Sequence, residues 1–471
     1  MERRENSLQI FNAESSLRTL GFERCDITMR RICLLGFGKS NRAFYNVMKS
    51  IDPELVFFVS EKSKIPDDLK EMLSRNNDLW EENHTNRILD CDLIIRSPGV
   101  NPNMEILQKA LKEGIRVETE VEFTYRFLKN KGTLPTLIGV TGTNGKTTTV
   151  EMVEMVMNEA GYSIFTGANI GKPFCEILRF DGIYDFAILE LSSFQLADIE
   201  ELHLDVAVIT NIEEDHIDWH GNFEGYIRAK LRILENQSES DLAVLNVDCE
   251  FLRNVKTTGE LVSFSMKPES RIHVDKLDLV VDGRRFSIPK NIKGKHNLYN
   301  LMASIGATMR FVEPSDALRY LERFKTSEHR LEEFFDYNGV IFVNDSKSTN
   351  GSSTVSAVEY YKGRRICLIL QGRPKGENYA KMVKRIKDMV SFIFTMGEIS
   401  EVVAPILEIH GLKYERVGDL DELMESLKKR IDEFDVVLFS PSASSFDIFE
   451  NYEDRGKKFK EKVLEWFKGE E

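Results

Sequence analysis

Residues 139–147 read GVTGTNGKT and lie between an apolar, strand-like run and a helix-like segment. Glycines in such a loop let successive backbone N–H groups point at phosphate oxygens, and the start of the following helix adds partial positive charge. Lys146 is long enough to reach the β- and γ-phosphates of a nucleotide, and the hydroxyl of Thr147 suits Mg²⁺. The pattern G-x-x-x-x-G-K-[ST] fails only at its first position, where Val140 replaces glycine. The stretch predicts a phosphate-binding loop; the alternative is a glycine-rich turn with a surface lysine.

The chain of 471 residues is too long for one ordinary core and predicts about three domains of roughly 100–200 residues each. Before residue 130, and again in the last third, short apolar runs alternate with helix-like segments, which is typical of a parallel α/β sheet. We therefore predict an α/β fold with Rossmann-like N- and C-terminal domains around a central P-loop ATPase-type domain. The predicted ranges are 1–28 for an N-terminal extension, then 29–130, 133–325 and 326–471 for the three domains.

The composition limits the partners and the compartment. Asp and Glu outnumber Lys and Arg by 77 to 63, and the resulting net charge of −14 disfavours binding to nucleic acid or to anionic membranes. The six cysteines include no C-x-x-C pair, which fits a reducing compartment. No apolar run approaches the roughly 18 residues of a membrane span, and the N-terminus does not resemble a signal peptide. We expect a cytoplasmic, monomeric protein whose partners are small molecules.

Two further strand-like runs each end in polar residues. Residues 185–195 read DFAILELSSFQ, and Glu190 at the end of the apolar run is a candidate Mg²⁺ ligand. Residues 211–218 read NIEEDHID and offer several oxygen ligands and the imidazole of His216. Lys230 follows on a predicted helix, where its spacing alone indicates an ordinary exposed lysine.

A second glycine-rich loop follows the first predicted strand. Residues 36–41 read GFGKSN, close to the dinucleotide fingerprint G-x-G-x-x-G, with Asn41 in place of the third glycine. The loop by itself leaves an NAD-dependent oxidoreductase open as an alternative.

Taken together, these residues resemble a known family. The GTNGKT loop at 142–147, the Glu-Asp-His triplet at 214–216 and Lys230 on the next helix are similar to the Mur ligases and the related folylpolyglutamate synthetases. The resemblance covers nearly everything after residue 29 and touches all three domains. Three segments resemble the branch of the family that adds D-glutamate: LSSFQL at 191–196, NDSKSTN at 344–350 and SPSASSFD at 440–447.

The resemblance implies a site for ATP and two Mg²⁺ ions. It implies that Thr147, Glu190 and His216 are metal ligands, and that Lys230 is carbamylated, which would turn a cation into a further ligand near the second Mg²⁺. Glu190, His216 and Lys230 would form the catalytic set together with Lys146. The other implied ATP contacts are Gly142, Thr143, Asn144, Gly145, Thr148, Asn297, Asn300, Arg330, Asp345 and Lys347.

The resemblance also implies a UDP-binding role for the N-terminal domain and an amino-acid-binding role for the C-terminal domain. One departure from the family pattern follows the second predicted strand, where Ser60 stands in place of an acidic residue. The implied contacts of the UDP-linked muramoyl substrate are Gly38, Lys39, Ser40, Ser60, Asn169, Ser192 and Gln195. The implied contacts of D-glutamate are Thr349, Lys375, Ser445, Phe446 and Tyr452.

The implied reaction is an ATP-dependent ligation in cytoplasmic peptidoglycan precursor synthesis. ATP would phosphorylate the terminal carboxylate of UDP-N-acetylmuramoyl-L-alanine, and the amine of D-glutamate would attack the acyl phosphate, releasing ADP and phosphate. Because the implied ATP contacts come from two domains, we expect domain closure to assemble the site and exclude water. Two other hypotheses stay open: a different Mur ligase or a folylpolyglutamate synthetase, and a P-loop NTPase without ligase activity.

Overall fold

The computed structural model describes residues 31–292, 294–325 and 328–468, so the extension predicted at 1–28 and the domain boundary predicted at 326 lie outside the described residues. Within those ranges the strands form three sheets, which follow one another along the chain. The α/β fold predicted from the sequence is confirmed. No described helix is both long enough and apolar enough to cross a membrane.

The N-terminal domain is a parallel sheet with helices packed on both faces. Because both faces are buried, its strands are apolar runs rather than alternating ones. Its strands are β1 (Arg31–Leu35), β2 (Val56–Glu61), β3 (Leu79–Glu82), β4 (Leu93–Arg96) and β5 (Arg116–Glu118), in the order β3-β2-β1-β4-β5. Its helices are α1 (Lys39–Ile51), α2 (Asp67–Arg75), α3 (Glu105–Lys112) and α4 (Glu120–Lys131).

The central domain joins parallel strands to an antiparallel edge, which is formed by the short strands within residues 272–287. Its strands are β6 (Thr136–Thr141), β7 (Ile164–Ala168), β8 (Phe186–Glu190), β9 (Val206–Ile209), β10 (Leu242–Asn246), β11 (Glu260–Ser265), β12 (Ile272–Asp275), β13 (Asp278–Val281) and β14 (Arg284–Ser287). They are ordered β14-β13-β12-β11-β10-β9-β6-β8-β7. Its helices are α5 (Lys146–Glu159), α6 (Ser193–Leu196), α7 (Ile217–His220), α8 (Phe223–Leu231), α9 (Lys295–Thr308) and α10 (Pro314–Leu321).

The C-terminal domain is a third sheet, parallel except for its first strand. Its strands are β15 (Glu332–Tyr337), β16 (Val340–Asn344), β17 (Ile366–Gln371), β18 (Val390–Met396), β19 (Tyr414–Arg416) and β20 (Val436–Ser442), in the order β15-β16-β20-β17-β18-β19. Its helices are α11 (Gly351–Tyr360), α12 (Tyr379–Ile386), α13 (Ile399–Ile409), α14 (Leu420–Lys428) and α15 (Tyr452–Phe467).

The position of the site follows from the order of the central strands. Strand β6 lies between β8 and β9 and is parallel to both, so the carboxyl ends of the three strands meet at one edge of the sheet. The loops that leave this edge begin at Gly142, Leu191 and Thr210. In open α/β sheets this edge is where ligands bind.

Helix α4 connects the N-terminal and central domains without an extended linker. Residues 129–131 form the last turn of α4, which ends at Gly132 in the left-handed conformation (φ 69°). Val121, Tyr125 and Leu128 of the same helix belong to the core of the central domain. The first two domains therefore share a helix.

A buried arginine also joins these two domains. Arg96, at the end of β4, is fully buried, and its guanidinium binds the carboxylate of Asp198 and donates 3.0 Å to the carbonyl of Phe194, both in the central domain. It also donates to carbonyls of its own loop, at Ser97 (3.1 Å) and Pro98 (3.0 Å). A buried guanidinium is tolerated only when its donors are satisfied in this way.

We predict that Arg96→Ala lowers the stability of the first two domains by about 3–5 kcal/mol, because it leaves Asp198 buried without its partner. The measurement is the midpoint of urea unfolding. The matched control is Arg75→Ala, which removes an arginine that is 73% exposed and pairs with Glu71 on the surface. Equal midpoints for the two variants would contradict the structural role of Arg96.

Candidate functional site

The phosphate-binding loop has a backbone that requires glycine at two positions. Gly142 and Gly145 have φ of 149° and 83°, where side chains other than hydrogen are strained. A Cβ atom at Gly142 would lie 1.9 Å from Thr210 Oγ1, and one at Gly145 would lie 2.3 Å from Asn300 Oδ1. The loop is therefore packed too closely for any other residue at either position.

Two lysines lie against the inner side of this loop. Lys146 Nζ donates to the carbonyls of Gly142 and Thr143, both at 2.9 Å, and Lys230 Nζ donates 2.7 Å to the same Gly142 carbonyl. Lys230 is 1% exposed, so the reading of an ordinary exposed lysine is wrong. Its Nζ also lies 4.7 Å from the centre of the Tyr226 ring.

Burial lowers the pKa values of both lysines. Burial, followed by the nearby Lys146, lowers the pKa of Lys230 well below its ordinary value. Burial also lowers the pKa of Lys146, and the charges of Glu190 and Asp215 only partly oppose it. The loop therefore holds cations that lack enough negative charge around them, which favours an anionic ligand.

Glu190 ends strand β8 beside the loop. Its carboxylate accepts hydrogen bonds from Thr147 Oγ1 (2.8 Å) and from Asn169 Nδ2 (2.6 Å), so all three implied ligand-binding residues meet at one point. Within the described residues there is no group of three or more His, Cys, Asp or Glu side chains that could hold a metal ion. Mg²⁺ commonly takes one or two protein oxygens together with water and phosphate oxygens. The pair Glu190 and Thr147 fits such an ion.

His216 stands at the start of α7 in the left-handed conformation (φ 52°). Its ring packs edge-on against Phe194, 4.7 Å between centres, and Phe194 in turn contacts Trp219 at 4.8 Å. This aromatic cluster fixes His216 next to the segment that follows Glu190. Ser192 and Gln195 form a capping box at the start of α6 in the same segment, so their polar atoms hold each other.

Asn144 links the phosphate-binding loop to the C-terminal domain. Its backbone N–H donates 2.9 Å to Asn211 Oδ1, and Asn211 Nδ2 donates 2.9 Å back to its carbonyl. Its side-chain amide donates 2.9 Å to Ser352 Oγ and accepts 2.6 Å from Ser353 Oγ, both in the first turn of α11. The C-terminal domain is therefore closed on the loop.

The remaining residues implied for ATP come from two sides. Asn300 is buried in α9, where it accepts from Thr149 Oγ1 at 3.5 Å and donates to Asn297 Oδ1 at 3.4 Å. The Nε of Arg330 and the Oγ1 of Thr148 are buried and have no hydrogen-bond partner within the described residues. Such orphaned donors are rare without a ligand or water to bind.

Asp345 and Lys347 lie on the loop after β16. The carboxylate of Asp345 accepts from Ser348 Oγ (2.6 Å) and Ser440 Oγ (2.8 Å), and burial raises its pKa. Lys347 lies over the ring of Tyr452, with its Nζ 5.5 Å from the ring centre. Tyr452, which is implied for D-glutamate, therefore adjoins a residue that is implied for ATP.

The residues implied for D-glutamate differ in their contacts and exposure. Lys375 Nζ donates 3.3 Å to Thr349 Oγ1 and lies 3.7 Å from the carboxylate of Asp215, at the boundary with the central domain. Ser445 is 2% exposed, and its neighbour Phe446 is 65% exposed.

Sequence reasoning missed Asp215 and Arg455. Asp215 stood inside the NIEEDHID motif, but only the fold brings it next to Lys375. Arg455 is fully buried in α15 and donates to Ser346 Oγ (3.0 Å), to Gln371 Oε1 (2.9 Å) and to the Ala443 carbonyl (3.0 Å), which ties together three loops of the C-terminal domain. An arginine in a charged helix gives no signal of this in the sequence.

The N-terminal domain contains a cavity of about 960 Å³ at the carboxyl edge of its sheet. The expectation for Ser60 needs correction: this residue is fully buried, and its hydroxyl is hydrogen-bonded to Glu81 (2.8 Å) and His84 (2.9 Å). The acidic residue at this end of β2 is Glu61, one position after Ser60. It lines the cavity, and its carboxylate accepts a hydrogen bond of 2.7 Å from the backbone N–H of Phe37.

The glycine-rich loop of this domain ends at the start of α1. Gly38 and Lys39 are exposed there, whereas Ser40 Oγ donates 3.2 Å to the buried carboxylate of Glu120. Asn41, which replaces the third glycine, donates to the carbonyls of Gly36 (2.7 Å) and Ile95 (3.0 Å). Its side chain thus closes the loop from inside.

Two family models match the chain: the Mur ligase middle domain matches residues 140–308, and the MurD N-terminal domain matches residues 31–106. The UDP-N-acetylmuramoylalanine–D-glutamate ligase of Thermotoga petrophila is 33% identical over 432 residues, which cover 92% of this chain and 97% of the relative. The corresponding ligase of Elusimicrobium minutum is 34% identical over 448 residues, with 92% and 97% covered. The chain belongs to the Mur ligase family.

Solved structures of other Mur ligases have the same fold. MurF from Acinetobacter baumannii aligns with a TM-score of 0.63 at 15% identity, over 97% of this chain and 99% of that one. UDP-N-acetylmuramate–alanine ligase MurC from Thermotoga maritima aligns with a TM-score of 0.59 at 19% identity, over 92% and 99%. At such identities the likeness shows the three-domain architecture alone.

We predict that Gly142→Ala weakens ATP binding by roughly 10- to 100-fold, because the added methyl group overlaps Thr210 and forces the loop to move. The measurement is ATP·Mg affinity by calorimetry. The control is Gly161→Ala, where φ is also positive (89°) but no atom lies within 4 Å of the added Cβ. Unchanged affinity in Gly142→Ala would show that the loop does not hold the phosphates.

Proposed function

We propose that this Mur ligase joins D-glutamate to UDP-N-acetylmuramoyl-L-alanine with hydrolysis of ATP to ADP and phosphate, in peptidoglycan precursor synthesis. Relatives named UDP-N-acetylmuramoylalanine–D-glutamate ligase match nearly the whole chain. The match includes the C-terminal domain, which contains the residues implied for D-glutamate. The observation that carries the proposal is the position of Lys375, which binds Thr349 and lies 3.7 Å from Asp215, beside the phosphate-binding loop. The predicted cytoplasmic location and monomeric state stay predictions.

The first step transfers a phosphoryl group between two anions, so it depends on charge neutralisation and alignment. Lys146 would contact the β- and γ-phosphates, and the backbone N–H groups of the loop would hold their oxygens. Arg330 would direct its unpaired donor at the nucleotide from the C-terminal domain. Closure through Asn144 would keep water away from the acyl phosphate, which water would otherwise hydrolyse.

The two Mg²⁺ ions would be held by Glu190, Thr147, His216 and, once carbamylated, Lys230. When bound, Mg²⁺ neutralises the charge that develops on the transferring phosphoryl group. Glu190 is held by Asn169 and Thr147, so its carboxylate is already oriented.

The environment of Lys230 favours carbamylation. A neutral amine adds to CO₂ to give a carbamate and a proton, whereas an ammonium has no lone pair for this reaction. Burial and the neighbouring Lys146 lower the pKa of Lys230, which increases the neutral fraction. The carbamate would also replace one of two adjacent cations by an anion and so reduce their repulsion.

The UDP-linked substrate would lie between the N-terminal and central domains. The cavity bordered by Glu61 would take the uridine end, and Lys39 and Ser40 at the start of α1 would take the diphosphate. Asn169 donates to Glu190, and Ser192 and Gln195 begin the helix that follows it, so these residues would contact the muramoyl-alanine beside the phosphate-binding loop.

A coupled assay tests this function. We predict that ADP forms with ATP, UDP-N-acetylmuramoyl-L-alanine and D-glutamate together, and that omitting D-glutamate or replacing it by other amino acids abolishes steady turnover. Lys146→Ala should reduce turnover by about 100-fold or more, because a charge that stabilises the transition state is lost. The control is Lys256→Ala at an exposed position of the same domain. ADP formation independent of the amino acid would instead indicate an NTPase.

The role of Lys230 has its own test. We predict that Lys230→Ala is inactive and that a short-chain carboxylic acid partly restores its activity, because the acid can occupy the space of the carbamate. The acid should not restore the activity of Lys230→Arg, because the arginine side chain keeps the positive charge and fills the space of the carbamate. Full activity of Lys230→Ala without added acid would exclude the carbamate.

A further inference from the structure

Glu377 is a half-buried residue next to the site, and one oxygen of its carboxylate has no partner among the described residues. Oε2 accepts 2.7 Å from the backbone N–H of Gly351, at the start of α11. Oε1 is buried and makes no hydrogen bond within the described residues. A buried carboxylate oxygen left unpaired costs free energy, so its presence indicates a proton or a ligand that binds there.

The surroundings of Glu377 point to a positively charged ligand. Lys375 lies two residues earlier on the same turn, with its Nζ 3.7 Å from the carboxylate of Asp215. The charges that act on Glu377 are the carboxylates of Asp215 and Glu214 and the ammonium of Lys375, and Asp215 also interacts with Lys146 and Lys230. Amino acids carry an ammonium group next to a carboxylate, which this pairing of one lysine with several carboxylates would match.

Glu377 is also close to the reacting end of the site. Gly351, which it binds, follows Asn350, and Asn350 Nδ2 lies 3.4 Å from Asp215 and 3.5 Å from Asn144 of the phosphate-binding loop. The turn with Glu377 therefore borders the space between Lys375 and that loop, where the acyl phosphate and the amino acid must meet.

We propose that Glu377 binds the ammonium group of the incoming amino acid and accepts its proton as the nitrogen becomes the nucleophile. One N–H bond breaks and the proton moves to Oε1. The nitrogen lone pair then forms the C–N bond with the acyl carbon, and the C–O bond to phosphate breaks with its electron pair on the phosphate. A second N–H proton leaves with the phosphate. This inference rests on the proposed function.

The environment of the carboxyl group suits such a role. Burial, opposed by the Gly351 N–H, and then the charge of Asp215 raise the pKa of Glu377 to about 8, while Lys375 lowers it and Glu214 raises it. A proton acceptor is most effective when its pKa is close to the working pH.

Hydroxylamine separates the two half-reactions, because it is neutral at neutral pH and captures acyl phosphates without needing a proton acceptor. With ATP and UDP-N-acetylmuramoyl-L-alanine, Glu377→Gln should form the hydroxamate at a rate close to wild type. Its kcat with D-glutamate should fall by about 10²-fold or more, the usual contribution of a general base. That kcat should rise with pH as the free amine forms, and Glu377→Asp should recover part of the loss.

The control is Glu425→Gln, which removes an exposed carboxylate that pairs with Lys429 in the same domain and should change neither reaction. Wild-type ligation by Glu377→Gln, or an equal loss of both reactions, would overturn the role of Glu377 alone. Failure of the wild type to form hydroxamate or to consume ATP would overturn the ligase function, and the inference with it.

Discussion

Asn144 is hydrogen-bonded from two domains at once, and the site depends on this residue. Its backbone is held by the side chain of Asn211 at the end of the neighbouring strand, which fixes the curve of the phosphate-binding loop. Its side-chain amide is held by Ser352 and Ser353 at the start of α11. Since an amide offers both a donor and an acceptor, one side chain satisfies both serines. Loop geometry and domain closure are therefore coupled through a single residue.

Around this point an acidic protein concentrates positive charge. Lys146 and Lys230 share the Gly142 carbonyl, and Arg330 and Lys375 approach from the C-terminal domain. Burial is the largest cause of the lowered pKa values of both central lysines, so their charged forms are under strain in the closed arrangement. A nucleotide triphosphate would relieve that strain, which gives a physical reason for closure to follow ATP binding.

Particular residues mark where sequence reasoning succeeded and failed. Glu190 and Thr147 were predicted from strand ends and loop pattern, and the structure brings them into contact at 2.8 Å. Lys230 was ambiguous, because helical spacing gives no information about which face is buried when a neighbouring loop covers it. Glu61, the acidic residue that lines the cavity, was missed. Ser60 and Glu61 are neighbours at the end of β2 and point to opposite faces of the strand, so the register of the strand decides which side chain meets the cavity.

The sequence by itself determined the α/β class, the three-domain order and the phosphate-binding loop, because strand runs, helix spacing and glycine positions are local properties of the chain. Tertiary structure alone decided the pairing of Asp215 with Lys375, the burial of Arg96 and Arg455, and the unpaired oxygen of Glu377. These depend on contacts between residues more than a hundred positions apart, or on which atoms a closed domain leaves without partners. Such contacts follow from how the sheets pack together, which no local pattern specifies.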